Sequence, residues 1–188
     1  MPERTVRPIR SEDFGLLMRM EEEVFGSSGE RVLGPYYVRL CCEFFSDSCS
    51  IAFDGRVPAG YVLCFVRGNE AYCTTLAVAP AYQGTRVAFL PIRALISSLM
   101  NRCESCRFTV KEDNLQARSL HEALGATEMG IREAFYGPVD RRLVSRIDRQ
   151  GFERLRARFE RMGLVGPGGS ELERAVANGP RRMALGAA

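Results

Sequence analysis

The sequence predicts a mixed α/β fold of the α+β kind, in which a mostly antiparallel sheet of six to seven strands is flanked by about four helices and followed by a C-terminal amphipathic helix. Three observations predict it. Strand-like and helix-like runs alternate in the order β-α-α-β-β-β-α-β-α-β-β, unlike the strict alternation of a doubly wound sheet. Two hairpin-type separators, Asp54-Gly55-Arg56 and Arg67-Gly68-Asn69, join three consecutive strand candidates into an antiparallel meander. Beyond residue 148, Phe152, Leu155, Phe159 and Met162 recur at helical spacing.

Each element has a local reason. TVRPIR reads as a short first strand, and SEDFGLLMRMEEEVFG as the helix after it, with Ser11 as N-cap, Glu12 and Asp13 in the positive first turn, and Gly26 as stop. PYYVRLCCEFF makes a second helix with Pro35 at its first position, where proline's missing N–H costs nothing. CSIAFDG, VPAGYVLCFVRG and EAYCTTLAVAP are the meander strands, the last one ending at Pro80. GTRVAFLPIRALISSLMNR has helical spacing with Pro91 as an interruption, which either kinks the helix or marks where it begins. CRFTV is a strand, and LQARSLHEALG is a helix with Leu115, Leu120 and Leu124 apolar and Gly125 as stop. ATEMGIREAFYG and RRLVSRI close as a strand pair.

At 188 residues the chain suits one domain with appendages. We expect a domain over 1–148, a helix over 149–165 that docks on the body or on a second copy as a homodimer contact, and a flexible Ala/Gly/Pro/Arg-rich tail over 166–188 with at most a short helix at SELERAVA. No apolar run approaches the ~18 residues of a membrane helix, and the start carries no signal-peptide pattern, so a cytoplasmic protein without membrane partners is expected. Arg supplies all the basic residues but Lys111. Residues 149–188 hold eight Arg against four Glu, a local +4 in a chain of net charge +3, so the body is about neutral and no nucleic-acid face is expected. The seven cysteines sit mostly in apolar runs, and Cys103-Glu-Ser-Cys106 lacks a second ligand pair, so neither disulfides nor a metal is expected.

In LAVAPAYQGTRVAFL, Leu76 to Leu90, an apolar strand ends at a proline and a helix follows whose first residues are small or polar. Such a turn aims unpaired backbone N–H groups and the positive end of a helix at one spot, which suits a diphosphate. Any strand–turn–helix does this to some degree, so specificity must come from elsewhere. It comes from Asn114, Ala117, Leu120, Glu122 and Gly125, which match the pattern N-x-x-A-x-x-L-Y-E-x-x-G-F, with His121 and Ala126 at the tyrosine and phenylalanine places. Gln83 and Ala88 fit a loop pattern Q/R-x-x-G-x-G/A, with Arg86 at its middle glycine. With the meander, these motifs make residues 4 to 147 resemble the GNAT superfamily of acyl-CoA-dependent N-acyltransferases.

The resemblance implies acetyl-CoA as co-substrate, held in a V-shaped cleft between splayed fourth and fifth strands. Pantetheine would pair with the backbone of Leu76, Ala77 and Val78, and the diphosphate with the amides of Gln83, Gly84, Thr85, Arg86, Val87 and Ala88; Asn114 and Ala117 would face the pantetheine side. Arg86, in a first helical turn, needs no glycine-only dihedrals. His121, the only histidine, would approach the thioester sulfur as a proton donor, protonated or through the N–H of its neutral ring. Where relatives carry a glutamate on the fourth strand, Thr74 and Thr75 stand, so the base would be an ordered water, Glu22, Glu23 or Tyr136. The acceptor would meet GSSGERVLGPYY and REAFYGPVDRR, which offer Tyr36, Tyr37 and Glu133 among charged neighbours such as Glu30, Arg31, Arg132, Asp140 and Arg141. The reaction so implied is direct attack of a primary amine on the thioester, with a small-molecule acceptor favoured. The alternatives are a protein amino terminus as acceptor, a larger acyl-CoA as donor, or a non-catalytic acyl-CoA-binding or dimerising module. A ping-pong route through Cys73 has no basic partner in sequence to support it.

Overall fold

The computed structural model describes residues 3–26 and 31–161. One seven-stranded sheet runs through it in the order β1-β2-β3-β4-β5-β7-β6. The strands are β1 (Arg4–Pro8), β2 (Ser50–Asp54), β3 (Val57–Arg67), β4 (Glu70–Val78), β5 (Ser105–Lys111), β6 (Thr127–Glu133) and β7 (Arg141–Asp148). All neighbouring pairs are antiparallel except β4 and β5, which are parallel. The helices are α1 (Phe14–Phe25), α2 (Pro35–Phe44), α3 (Phe89–Leu99), α4 (Leu115–Ala123) and α5 (Arg149–Arg161). The meander forms as its turn sequences predict, and the last two strands pair as expected.

Two cores lie on opposite faces of the sheet. On one face α1 and α2 bury Leu17, Met20, Val38 and Cys41 against Ile51, Tyr61 and Leu63. On the other, α3 and α5 bury Leu95, Leu99, Phe152 and Leu155 against Val62, Cys73, Cys106 and Phe108. The C-terminal helix therefore docks on its own body. Its arginines also serve carbonyls that helix geometry leaves unpaired: Arg149 Nη1 donates to Met100 O and Arg158 Nη1 to Ala123 O, each at 2.9 Å, at the ends of α3 and α4. Phe159's side chain, Met162 and the tail expected from residue 166 lie outside what is described.

Two local expectations change, and at Pro91 one of two alternatives is decided. Ser11 is not the N-cap of α1: a 3-10 turn over Ser11–Asp13 precedes the helix, and it is Asp13 whose carboxylate accepts from Arg10 N at 2.8 Å. Arg7 grips the same carboxylate with both Nη atoms at 2.6 and 2.7 Å, which places the ion pair between β1 and α1. Leu115 is not on the packed face of α4; it is 68 % exposed, while Leu120 and Leu124 pack. Pro91 kinks nothing, because α3 starts at Phe89 and the ring lies in the first turn, where backbone N–H groups have no intrahelical partner. The ring packs on β3 instead: a Cβ on Gly60 would meet Pro91 Cγ at 2.8 Å and Ala77 O at 2.5 Å.

Candidate functional site

The central strands part in the middle. β4 pairs with β5 only from Glu70↔Ser105 to Cys73↔Phe108, after which Thr74–Val78 and Thr109–Lys111 have no partner in each other. The cause is local. The register of β3 against β4 shifts between Leu63 and Cys64, so Thr74 is an extra residue, and Cys73 and Leu76 both pack on the α3 side although three positions apart. Such a bulge bends and twists its strand, here away from β5 at the last shared pair. Ala77 O points at Gly60 and Ala79 N donates to Ala59 O, so alternation turns the polar groups of Leu76 and Val78 to the open edge. Val78 O on that edge accepts from Gln83 Nε2 at 3.1 Å.

The turn after β4 supplies fewer free amides than its length suggests. Gln83 N, Thr85 N and Ala88 N donate to the carbonyls of Pro80, Tyr82 and Thr85, and Val87 N donates to Thr85 Oγ1 at 3.2 Å. Gly84 N and Arg86 N remain without partners among the described residues. Gly84 has φ +73°, a conformation that costs a side chain ~1–2 kcal/mol, so this glycine is required by the backbone. Arg86 opens a short 3-10 turn ahead of α3 without a positive φ, and its side chain is exposed. The arginine at the middle position of the loop therefore strains nothing.

Hydroxyl groups gather at the fork, on the α2 face. Tyr37 Oη and Thr74 Oγ1 are 2.5 Å apart, and Tyr72 Oη and Thr109 Oγ1 are 2.7 Å apart. Burial raises both the Tyr37 and Tyr72 phenols, opposed by the threonine bonds and reinforced by Tyr136, which approaches from the β6–β7 loop. Both therefore stay neutral at physiological pH. Tyr136 is 63 % exposed and lies under the Arg142 guanidinium, 5.0 Å from the ring centroid. Tyr72, Thr74 and Thr109 join Tyr37 and Tyr136 only because the sheet aligns them.

His121 occupies the other face. Its ring lies 4.7 Å from that of Phe108, its Nδ1 is 2.9 Å from Ser145 Oγ, and it lines a groove between α4 and the β6–β7 hairpin with Glu128 and Leu143. Burial lowers its pKa to about 4, so of the two forms considered for a proton donor only the neutral ring is present near pH 7. His121 and Tyr136 thus flank the sheet from opposite sides.

The remaining candidates divide. Asn114 Oδ1 accepts from Ala117 N at 3.0 Å, so these two residues first cap α4 with one another. Tyr36 points to solvent, 84 % exposed. Glu133 is paired with Arg141, whose Nε is 3.0 Å from each carboxylate oxygen. Glu22 and Glu23 are exposed, and Glu30 lies outside the described residues. The carboxylate that sequence reasoning overlooked is Glu21, 1 % exposed, which accepts from Tyr61 Oη and, at 3.0 Å, from Leu33 N. Burial raises its pKa, and it ties α1 to the segment leading into α2. Its spacing of four from Leu17 was the available signal, hidden among three consecutive glutamates. Among the described residues no cluster of three or more His, Cys, Asp or Glu could hold a metal ion, and no helix is long and apolar enough to cross a membrane.

A parallel β4–β5 pair opened by a bulge, with a glycine turn and a helix start at its mouth, defines a mixed α/β fold with a central cleft, and the sequence comparison supplies its family. The profile of the acetyltransferase (GNAT) family matches residues 15–126, more than half of the chain, and the protein belongs to that family. Its fold is shared by the ribosomal-protein-S18-alanine N-acetyltransferase from Escherichia coli, at TM-score 0.64 and 18% identity, covering 78% of this chain and 94% of that one. It is also shared by the diaminobutyrate acetyltransferase from Paenibacillus lautus, solved with L-2,4-diaminobutyric acid and coenzyme A, at TM-score 0.59 and 19% identity over 77% and 95%. A putative acetyltransferase from Salmonella typhimurium, solved with acetyl-CoA, matches at TM-score 0.61 and 14% identity over 78% and 94%. No curated protein matches the sequence.

Proposed function

We propose that the chain is an N-acetyltransferase that uses acetyl-CoA to acetylate a primary amine by direct attack, with a small-molecule acceptor. The observation that carries this reading is the fork itself. The free edge of Leu76–Val78 offers strand-type polar groups to an extended amide arm, and it leads to the unpaired amides of Gly84 and Arg86 at the start of α3, which suit a diphosphate. The fit is that of a narrow cradle, two amides and a helix start, with the Arg86 guanidinium free to add charge.

When bound, acetyl-CoA supplies an activated thioester whose carbonyl carbon takes the amine's lone pair as the carbon–sulfur bond breaks. The chain's own residues then have two proton tasks. On one face, Ser145 Oγ lies 2.9 Å from His121 Nδ1; in the tautomer in which the hydroxyl donates, the ring carries its proton on Nε2 and can offer that N–H to the leaving sulfur. On the other, the Tyr37–Thr74 and Tyr72–Thr109 pairs, with Tyr136 beside them, orient the amine and hold an ordered water that takes its proton. Thr74 sits where a carboxylate base would stand, and a neutral hydroxyl there favours relay over direct abstraction.

The test is thiol release from acetyl-CoA with a panel of amines, followed together with thermal shift. Turnover with at least one amine is expected. Stabilisation by acetyl-CoA without turnover would show a binding module, and neither effect would remove the catalytic reading.

A further inference from the structure

Among the described residues, the α1–α2 core contains none from β5, β6 or β7, so α1 and α2 leave that part of the sheet face uncovered. Strand register lays two rows of side chains across it. One row runs Tyr72–Arg107–Arg146–Thr127, and the next runs from Thr109 through Val144 to Gly130. Where they cross the last three strands there is a groove of about 280 Å³, lined by Arg107, Arg132, Arg146, Met129 and Val144. Both rows start at the fork, one at Tyr72 and the other at its bonded partner Thr109, so the groove lies two strands along the sheet from it.

The charges in this groove are unbalanced. Arg107 is paired with Glu70 at 3.1 Å, and Arg142, farther along, with Asp140 at 2.9 Å. Arg132 and Arg146 have no acidic partner among the described residues, and Arg146 Nε is buried without any hydrogen-bond partner. A buried, unpaired guanidinium N–H is costly unless a ligand completes it. Half-buried Val144 and exposed Met129 give the groove its apolar surface beside these cations.

We infer that the acceptor carries an anionic group, a carboxylate or phosphate, which Arg132 and Arg146 bind while its amine lies at the Tyr72–Thr109 fork. This rests on the acetyltransferase reading and names the substrate class for it. Tyr72 and Arg146 are two strand spacings apart, about 10 Å between main chains, and the arginine side chain closes several of these. A molecule of amino-acid size spans the remainder. Polyamines and basic amino termini, by the same charges, are disfavoured.

The test compares γ-aminobutyrate with its carboxamide, which keeps the size and removes the charge, and a peptide beginning Ala-Asp with one beginning Ala-Asn. The wild-type protein favours the carboxylate form of the small pair by about tenfold in kcat/KM, as one charge-assisted contact implies; discrimination confined to the peptide pair would assign the anion to a protein substrate. Arg132→Gln, at an exposed position, and Arg146→Gln raise KM for the carboxylate with little change in kcat and leave the amide unaffected. Arg146→Lys keeps part of the preference. A second readout does not need turnover. Inorganic phosphate titrated into labelled protein should shift the Nε–H resonances of Arg132 and Arg146, and the double glutamine variant should lose phosphate stabilisation in thermal shift. Equal KM for acid and amide, or unmoved resonances with phosphate, overturns the inference. Absent thiol release with the resonances still shifting would instead fault the acetyltransferase reading.

Discussion

Gly60 offers a quantitative test of how the cleft walls are held. A methyl group there would lie 2.5 Å from Ala77 O in β4 and 2.8 Å from Pro91 Cγ in α3. Neither neighbour is the free end of a flexible chain, since one is backbone and the other a ring closed onto it. Gly60→Ala must therefore push β4 or α3 away from β3, an overpacking that costs ~1–3 kcal/mol, against which removal of glycine's freedom in the unfolded chain returns ~0.4–1 kcal/mol. The difference spans roughly 0–2.6 kcal/mol, and its midpoint of ~1.3 kcal/mol lowers Tm by roughly 3–5 °C for a domain of this size. The same displacement moves the free edge of Leu76–Val78, so affinity for coenzyme A should fall as well. Urea unfolding and calorimetric titration read the two effects. Pro91→Ala removes one of the two contacts, so the double variant should recover part of the loss. A Gly60→Ala protein as stable as wild type, with unaltered coenzyme binding, would refute the account of these walls.

Other outcomes follow from single groups. Gly84→Ala should lose ~1–2 kcal/mol to its positive φ and bind coenzyme A more weakly, whereas Arg86→Gly should leave affinity unchanged or improved; calorimetry distinguishes a bystander from a ligand by whether the second variant loses binding. Because His121 titrates at about 4 when folded and near 6.5 when unfolded, the unfolded chain binds more protons between these values, and wild-type stability should fall as pH drops from about 6.5 toward 4. His121→Phe removes that slope, visible in urea midpoints against pH, and reduces turnover if the ring serves the leaving group; unaltered turnover would end that role. Asp13→Ala leaves Arg7 without its bidentate partner and should cost ~3 kcal/mol in chemical denaturation, with Asp13→Glu recovering part of it.

Much of the architecture was legible because its signals are local. Gly and Asn at the meander turns, Pro35 at a helix start, and alternation in the strands act over a few residues. The phosphate turn and the α4 motif were legible for the same reason, and Arg86 and Pro91 turn out to occupy backbone positions that accept them. Ser11, Leu115 and Glu21 were misread or missed because caps and helix faces depend on what packs opposite: Asp13 caps because Arg7 of β1 holds it, and Leu115 is exposed because α4 meets the sheet through Leu120 and Leu124. The expectation that His121 could act protonated also depended on surroundings, since burial against the sheet beside Phe108 lowers its pKa.

The sequence by itself determined the order of elements, the family and the neighbourhood of the coenzyme turn, since each is written in short-range spacing that any chain context would preserve. Only the tertiary structure decided where β4 leaves β5, which hydroxyls meet at that fork, which amides remain free, and that Arg132 and Arg146 share an open face. Those properties depend on a one-residue shift of register at Thr74 and on strands far apart in sequence lying side by side, and neither is encoded within a window of the chain.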